Sequence, residues 1–218
     1  ELPALAMGRS ADLTVGSGVL VAGHGGRGGA VGARVVSKRE FAGYWEYMLE
    51  EAIFTSPAHP NWGGTALIGQ DGKLLGIGSL YVEDAADTSD GDDSRNGNMF
   101  VPIDLLTPIL DEMLSEGRTA ASHRPWMGLF TAEVEGGVEV IGLAQDGPAE
   151  RSGLQLGDAI VKVNGTAIAS MAELYRRAWS SGAAGVDIKM TVLRETYAFE
   201  LTVKSEDRYT RLKFQRQF

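Results

Sequence analysis

Side chains able to do chemistry are few and scattered in this 218-residue chain. There is no cysteine, which excludes disulfides, thiolate metal sites and cysteine nucleophiles. Of the three histidines, His24 lies in a glycine-rich run, His59 in His59-Pro60-Asn61-Trp62-Gly63-Gly64 and His123 in Thr119-Ala120-Ala121-Ser122-His123. His59 reads as a polar loop residue. Gly23-His24-Gly25-Gly26-Arg27-Gly28 is a literal G-x-G-x-x-G after an apolar strand. Dinucleotide binding would need a helix to follow, because the pyrophosphate sits on a helix N-terminus. Gly32 and the valines that follow favour a strand, so the run reads as a hairpin loop. The aspartates of 83–98 lack the alternation and closing Glu of a calcium loop and read as a solvated surface loop. No metal or cofactor is expected.

The elements that must carry any site are mostly strands. Residues 1–82 hold short apolar runs punctuated by glycine, and Gln70-Asp71-Gly72 is a hairpin signal between two of them. In 101–118, Leu105, Ile109 and Met113 recur at helical spacing before Gly117, which predicts a helix that closes the first domain. Residues 119–123 read as a linker. In 124–206, VEVIGLA and DAIVKVNG read as strands, and two more strands flank Glu195. Ser170 caps a helix whose Met171, Leu174, Tyr175 and Ala178 share one face.

Net charge is −9, which argues against nucleic acid as the main partner, and no apolar run is long enough to span a bilayer. The charge is uneven: 17 acidic and 8 basic residues in 1–118, 11 and 8 in 119–206, 1 and 4 in 207–218. The last segment is therefore a basic tail. The chain starts at Glu1 with no leader before it and is expected to be a processed or truncated piece of a longer protein.

MGRSADLTVGSGVLVAG, Asn61-Trp62-Gly63-Gly64, DGKLLGIGSL and MFVPIDLLTPILDEML together resemble the second β-barrel of the Deg/HtrA family of trypsin-like serine proteases. GPAERSGLQLGDAIVKVNG, residues 147–165, resembles the PDZ domain that follows it in that family. The resemblance spans about residues 5–205. It implies a mainly β fold: a trypsin-like second barrel with its closing helix in 1–118, the linker 119–123, a PDZ domain in 124–206 and the tail 207–218.

For catalysis the resemblance points the other way. The family's nucleophile is a serine of a Gly-Asn-Ser-Gly-Gly signature, and Trp62 stands at that position here. An indole has no hydroxyl to deprotonate. The oxyanion-hole residue two positions earlier matches Pro60, which has no N–H to donate. The family's catalytic His and Asp belong to the first barrel, and none of the three histidines matches them. The resemblance thus implies a pseudoprotease in regulation or chaperoning. The alternative is an active HtrA-type endopeptidase of protein quality control, of which this chain is a fragment.

A PDZ domain binds a chain end as an added strand, with backbone N–H groups on its carboxylate. Trp126-Met127-Gly128-Leu129 matches the family's carboxylate loop, Phe130 and Thr131 begin the pairing strand, and Met171, Tyr175 and Ala178 fall on the facing helix. The expected ligands are peptides or unfolded proteins with apolar C-termini. Other expected partners are the chain's own end Gln215-Arg216-Gln217-Phe218 and an active protease relative. A lone second barrel would expose the face that packs on the first, so an oligomer is expected. The resemblance places the protein in the periplasm or cell envelope. The run FAGYWEYMLEEAIF, 41–54, reads either as barrel packing or as a partner surface.

Overall fold

The computed structural model describes residues 4–86, 96–119 and 123–211. It forms two compact units, and they do not divide the chain at one point. Seven residues in the middle of the first half, Ala42–Met48, group with the second unit.

The first unit is built on a closed six-stranded barrel in the order β1-β2-β3-β6-β5-β4. Its strands are β1 (Gly18–Ala22), β2 (Ala30–Gly43), β3 (Tyr47–Ser56), β4 (Ala66–Ile68), β5 (Leu74–Val82) and β6 (Gly97–Pro102). Period-two alternation does the sorting. Val19 and Val21 of β1 point inward while Leu20 is exposed, and Ala33 and Val35 of β2 join them. Ile53, Leu67, Leu75 and Phe100 complete this core. The turn before β5 is the expected one: Gly72 donates to Gly69 O at 3.0 Å with φ of +76°. Gly23–Gly28 lies between antiparallel β1 and β2, with a 3-10 turn at Gly26–Gly29 and no α-helix after it, so the hairpin reading holds.

Two expectations change. The helix over 101–118 is only partly formed. Residues 101–102 still belong to β6, two 3-10 turns follow at Ile103–Leu105 and Thr107–Ile109, and α1 runs only over Leu110–Glu116. Pro108 explains the late start, since its ring cannot sit deeper in a helix. The surface loop expected over 83–98 ends early, because Gly97 and Asn98 are buried in β6. Its centre, 87–95, lies outside the described residues.

The second unit carries a sheet in the order β12-β11-β9-β8-β7, with β10 on β9. The strands are β7 (Leu129–Val134), β8 (Gly137–Leu143), β9 (Ala159–Val163), β10 (Thr166–Ala167), β11 (Asp187–Arg194) and β12 (Tyr197–Lys204). Two helices accompany them, α2 (Pro148–Arg151) and α3 (Met171–Trp179), and α4 (Arg208–Arg211) follows β12. Ser170 caps α3 as expected, its hydroxyl accepting from Glu173 N at 3.2 Å. Leu174, Tyr175 and Ala178 of α3 are buried with Val138, Val140, Ile160, Val163, Ile188 and Val192 of the strands. Asp158 is fully buried and held by both arms of the Arg194 guanidinium, at 2.6 and 2.8 Å. The sheet ends at β7, whose outer edge is where an added strand would pair.

Candidate peptide-binding site

The loop leading into β7 has its carbonyls tied back and its N–H groups free to converge. Trp126 exchanges both backbone bonds with Glu206, at 3.0 and 2.9 Å. Met127 O accepts from Ala149 N, and Gly128 O from Ala144 N, each at 2.8 Å. Gly128 has φ of +80°, a conformation that glycine adopts without Cβ strain, and a Cβ there would press on Ala144 and the Trp126 ring. The N–H groups of Met127, Gly128 and Leu129 therefore point to one place. Successive backbone N–H groups arranged this way form an anion-binding nest.

That place is filled by a side chain of the second unit's other segment. Glu46 Oε1 accepts from Gly128 N at 2.6 Å, Leu129 N at 2.8 Å and Met127 N at 3.2 Å, and Oε2 accepts from Met127 N at 3.0 Å. Glu46 is 7% exposed. Burial pushes its carboxyl up to about 7, against the opposing pull of the three N–H groups and of the Arg208 cation. Two effects of the same pocket thus compete, and desolvation wins.

The rest of the turn lies along β7 and α3. Thr131 N donates to Tyr44 O at 2.9 Å, a main-chain bond from the edge strand. The Tyr175 hydroxyl, buried on α3, donates its single hydrogen to Gly43 O at 2.8 Å. It accepts from Glu46 N at 3.3 Å, and with its hydrogen already used it must also accept from Thr131 Oγ1 at 2.9 Å. Tyr44 packs edge-on against Trp45 and tilts toward Phe130, and Trp45 stacks on Tyr47. Met48 joins the apolar cluster that holds Met127, Leu129, Tyr175 and Ala178.

The residues expected to form the groove are thus assembled around one feature. Met127, Gly128 and Leu129 supply the N–H groups, Thr131 the strand bond and Tyr175 a polar clasp. Ala178 is fully buried in the cluster behind them, and Phe130 is half-buried beside Tyr44. Trp126 is half-buried with the Arg211 guanidinium over its ring. Met171, half-buried at the first turn of α3, gives its N–H to Glu133. Sequence reasoning missed Glu46. It treated 41–54 as one aromatic stretch, either barrel packing or a partner surface, whereas the structure divides it: Tyr44, Trp45 and Tyr47 belong with the second unit, and Phe54 is buried in β3 under the Arg39 guanidinium. A usable signal was present. Glu46 is the one charge in a turn of aromatics between two long strands.

Trp62, expected to stand at the nucleophile position, is half-buried in a tight turn, and its carbonyl accepts both Thr65 N at 3.2 Å and Thr65 Oγ1 at 2.9 Å. Pro60 is exposed. His59 lies in the loop after β3, as expected, but it is buried, at 2% exposed. Its Nδ1 accepts from Asn61 N at 3.1 Å, which leaves Nε2 to donate to Gly29 O at 2.8 Å. Both ring nitrogens are thus spent on holding backbone. Among the described residues no three His, Cys, Asp or Glu side chains group as metal ligands. The tail residues 212–218, including the end Gln215–Phe218, lie outside the described residues.

Comparison with known proteins agrees with this architecture. The family model of the PDZ domain matches residues 125–205. The serine protease PepD of Mycobacterium tuberculosis is 30% identical over 200 residues, covering 87% of this chain and 42% of that protein. A probable periplasmic serine endoprotease DegP-like of Halomonas elongata is 25% identical over 232 residues, covering 95% and 44%. The HtrA-type protease AlgW, solved with a decapeptide, superposes with a TM-score of 0.58 at 24% identity over 95% of this chain and 65% of that one. A serine endoprotease of Yersinia pestis gives 0.52 at 21% identity over 95% and 68%. The chain spans less than half the length of PepD and of the Halomonas protein.

Proposed function

We propose, from the premise that this chain is an HtrA/Deg-family serine protease relative with a PDZ domain, that it works by binding chain ends rather than by cutting chains. The observation that carries the reading is the three-N–H nest of Met127, Gly128 and Leu129, which holds a carboxylate at the head of an edge strand. Ligands would be peptides or unfolded proteins whose last residue is apolar. The carboxylate would take the nest, the backbone would pair with Thr131, and the apolar side chain would enter the cluster around Met127, Leu129, Tyr175 and Ala178.

Loss of catalysis is part of the same proposal. Trp62 at the nucleophile position offers nothing to acylate, and loss of a triad serine costs about 10⁶ in rate. Pro60 would remove an oxyanion donor, worth about 10²–10³ more. The rival reading, a working endopeptidase of which this is one part, draws on the relatives' names and on the share of their length this chain spans. The periplasm is the proposed location, after the DegP-like relative of Halomonas elongata, which is named periplasmic. An oligomer or an active relative would cover the barrel face that a first barrel otherwise packs on.

A fluorophosphonate probe applied to the full-length protein separates the two readings. Absence of labelling, together with binding of a free-acid peptide and not of its amidated twin by this chain, supports the binding protein. Labelling of the full-length protein would return the endopeptidase reading.

A further inference from the structure

Three observations on the turn between β2 and β3 do not follow from barrel architecture. First, Glu46 is a non-glycine residue at φ of +56°, at the end of a tight hairpin turn where Gly or Asn is usual. Second, the hydrogen bonds to this buried carboxylate come from an array of backbone N–H groups, with the Arg208 cation acting only as the weakest of the pulls on it. Third, Tyr44 and Met48 flank it and make the other two kinds of contact that a bound chain end would make. Tyr44 O takes the Thr131 N–H of the edge strand, and Met48 joins the apolar cluster.

We infer that Glu46 is a built-in, displaceable ligand of the PDZ domain, its side-chain carboxylate standing in for the terminal carboxylate of a bound chain. The inference rests on the chain-end reading above and supplies its regulation. One nest of three N–H groups accommodates one carboxylate, so a partner's chain end and Glu46 exclude each other. The best competitor brings both a free carboxylate and an apolar last side chain, because the turn already provides Glu46 and Met48 for those two roles. The Tyr175 hydroxyl, bonded to Gly43 O and Glu46 N, holds the turn in place until a ligand pays for its release. Binding at the nest and the position of the Tyr44-Trp45 turn are therefore linked, and by thermodynamic reciprocity whatever loosens the turn strengthens chain-end binding by the same factor. Displacement would also free the aromatic rings of Tyr44, Trp45 and Tyr47 from this surface.

The test uses the full chain as wild type, Glu46→Gly and Glu46→Gln. Glycine suits the positive φ, so Glu46→Gly keeps the turn while removing the carboxylate. Glutamine keeps the side chain's size and guards against a turn that fails to form. Backbone amide exchange at Met127, Gly128 and Leu129 reads occupancy of the nest without any peptide. It should be at least tenfold faster in Glu46→Gly than in wild type. A peptide ending in a free apolar carboxylate should slow it again, and its amidated twin should not. The same free acid should bind Glu46→Gly at least tenfold more tightly than wild type, with Glu46→Gln between them.

Equal exchange at the three amides in wild type and both variants would overturn the inference. So would one dissociation constant for all three forms, and that result would leave chain-end binding itself intact. Faster exchange in the variants with no peptide bound by any form would support the internal ligand and sink the chain-end reading instead.

Discussion

Glu46 makes the hold of the turn depend on pH, with a sign that can be worked out. In place, its carboxyl is pushed by burial to about 7 from an ordinary 4.5, despite the N–H groups of Leu129, Met127 and Gly128. Released into water, it returns to the ordinary value. The docked group thus binds a proton that the released group gives up. Docking is strongest below pH 4.5, weakens as pH rises from there to about 7, and is level above that. Between pH 5 and pH 8 the docking constant should fall tens-fold, on the order of 2–3 kcal/mol. Burial pushes the Tyr175 hydroxyl, which faces Glu46, above its ordinary 10.0 and out of this window. A peptide's α-carboxyl, near 3.5, is ionised throughout. The assay is the dissociation constant of a free-acid apolar peptide at pH 5, 6, 7 and 8, followed by the fluorescence of Trp126 beside the nest. Affinity of the wild type should climb tens-fold with pH, while Glu46→Gln, which cannot titrate, should stay flat. Parallel profiles for the two proteins, or a wild-type affinity that falls relative to Glu46→Gln, would refute the reasoning.

Two further outcomes follow from single contacts. Tyr175→Phe keeps the ring in the core and removes the hydroxyl bonded to Gly43 O, Glu46 N and Thr131 Oγ1. It should weaken docking of the turn by about 1–3 kcal/mol, seen as tighter free-acid binding and greater quenching of Trp45 by acrylamide. Asp158→Ala strips the buried partner from Arg194 and the acceptor from Gln155 N, and should lower the second unit's stability to denaturant by about 2–4 kcal/mol. Burial alone would raise the Asp158 carboxyl, but Arg194 and Gln155 N outweigh it and hold it below the ordinary 3.8. That contribution is therefore full above pH 3.8 and is lost as pH falls through the depressed value, so the wild-type and Asp158→Ala unfolding curves should approach each other in acid.

Local rules carried much of the fold. Short apolar runs punctuated by glycine are enough to mark β1 and β2 as strands, though not to show that Leu20 faces outward between Val19 and Val21. Gln70-Asp71-Gly72 announced its hairpin, since glycine alone enters the positive-φ corner without strain. Ser170 announced the start of α3, where the unpaired N–H groups of a first turn need an acceptor. The loop Trp126–Leu129 and the helix residues Tyr175 and Ala178 were legible on the strength of a family resemblance rather than of spacing alone.

By itself the sequence determined the chemistry on offer: no thiol, a tryptophan and a proline where the resemblance implies a serine and an oxyanion donor, and a glycine that lets three N–H groups converge. What only the tertiary structure decided is where the carboxylate for those N–H groups comes from. Glu46 and Gly128 are 82 residues apart. No periodicity links two backbone segments at that distance, because a side chain–main chain bond of this kind depends on how far a turn reaches once its strands are paired. The same is true of His59, whose two ring nitrogens meet Gly29 O and Asn61 N only after the barrel closes. Both are polar groups whose burial is tolerable only with partners, and folding brings those partners from distant parts of the chain.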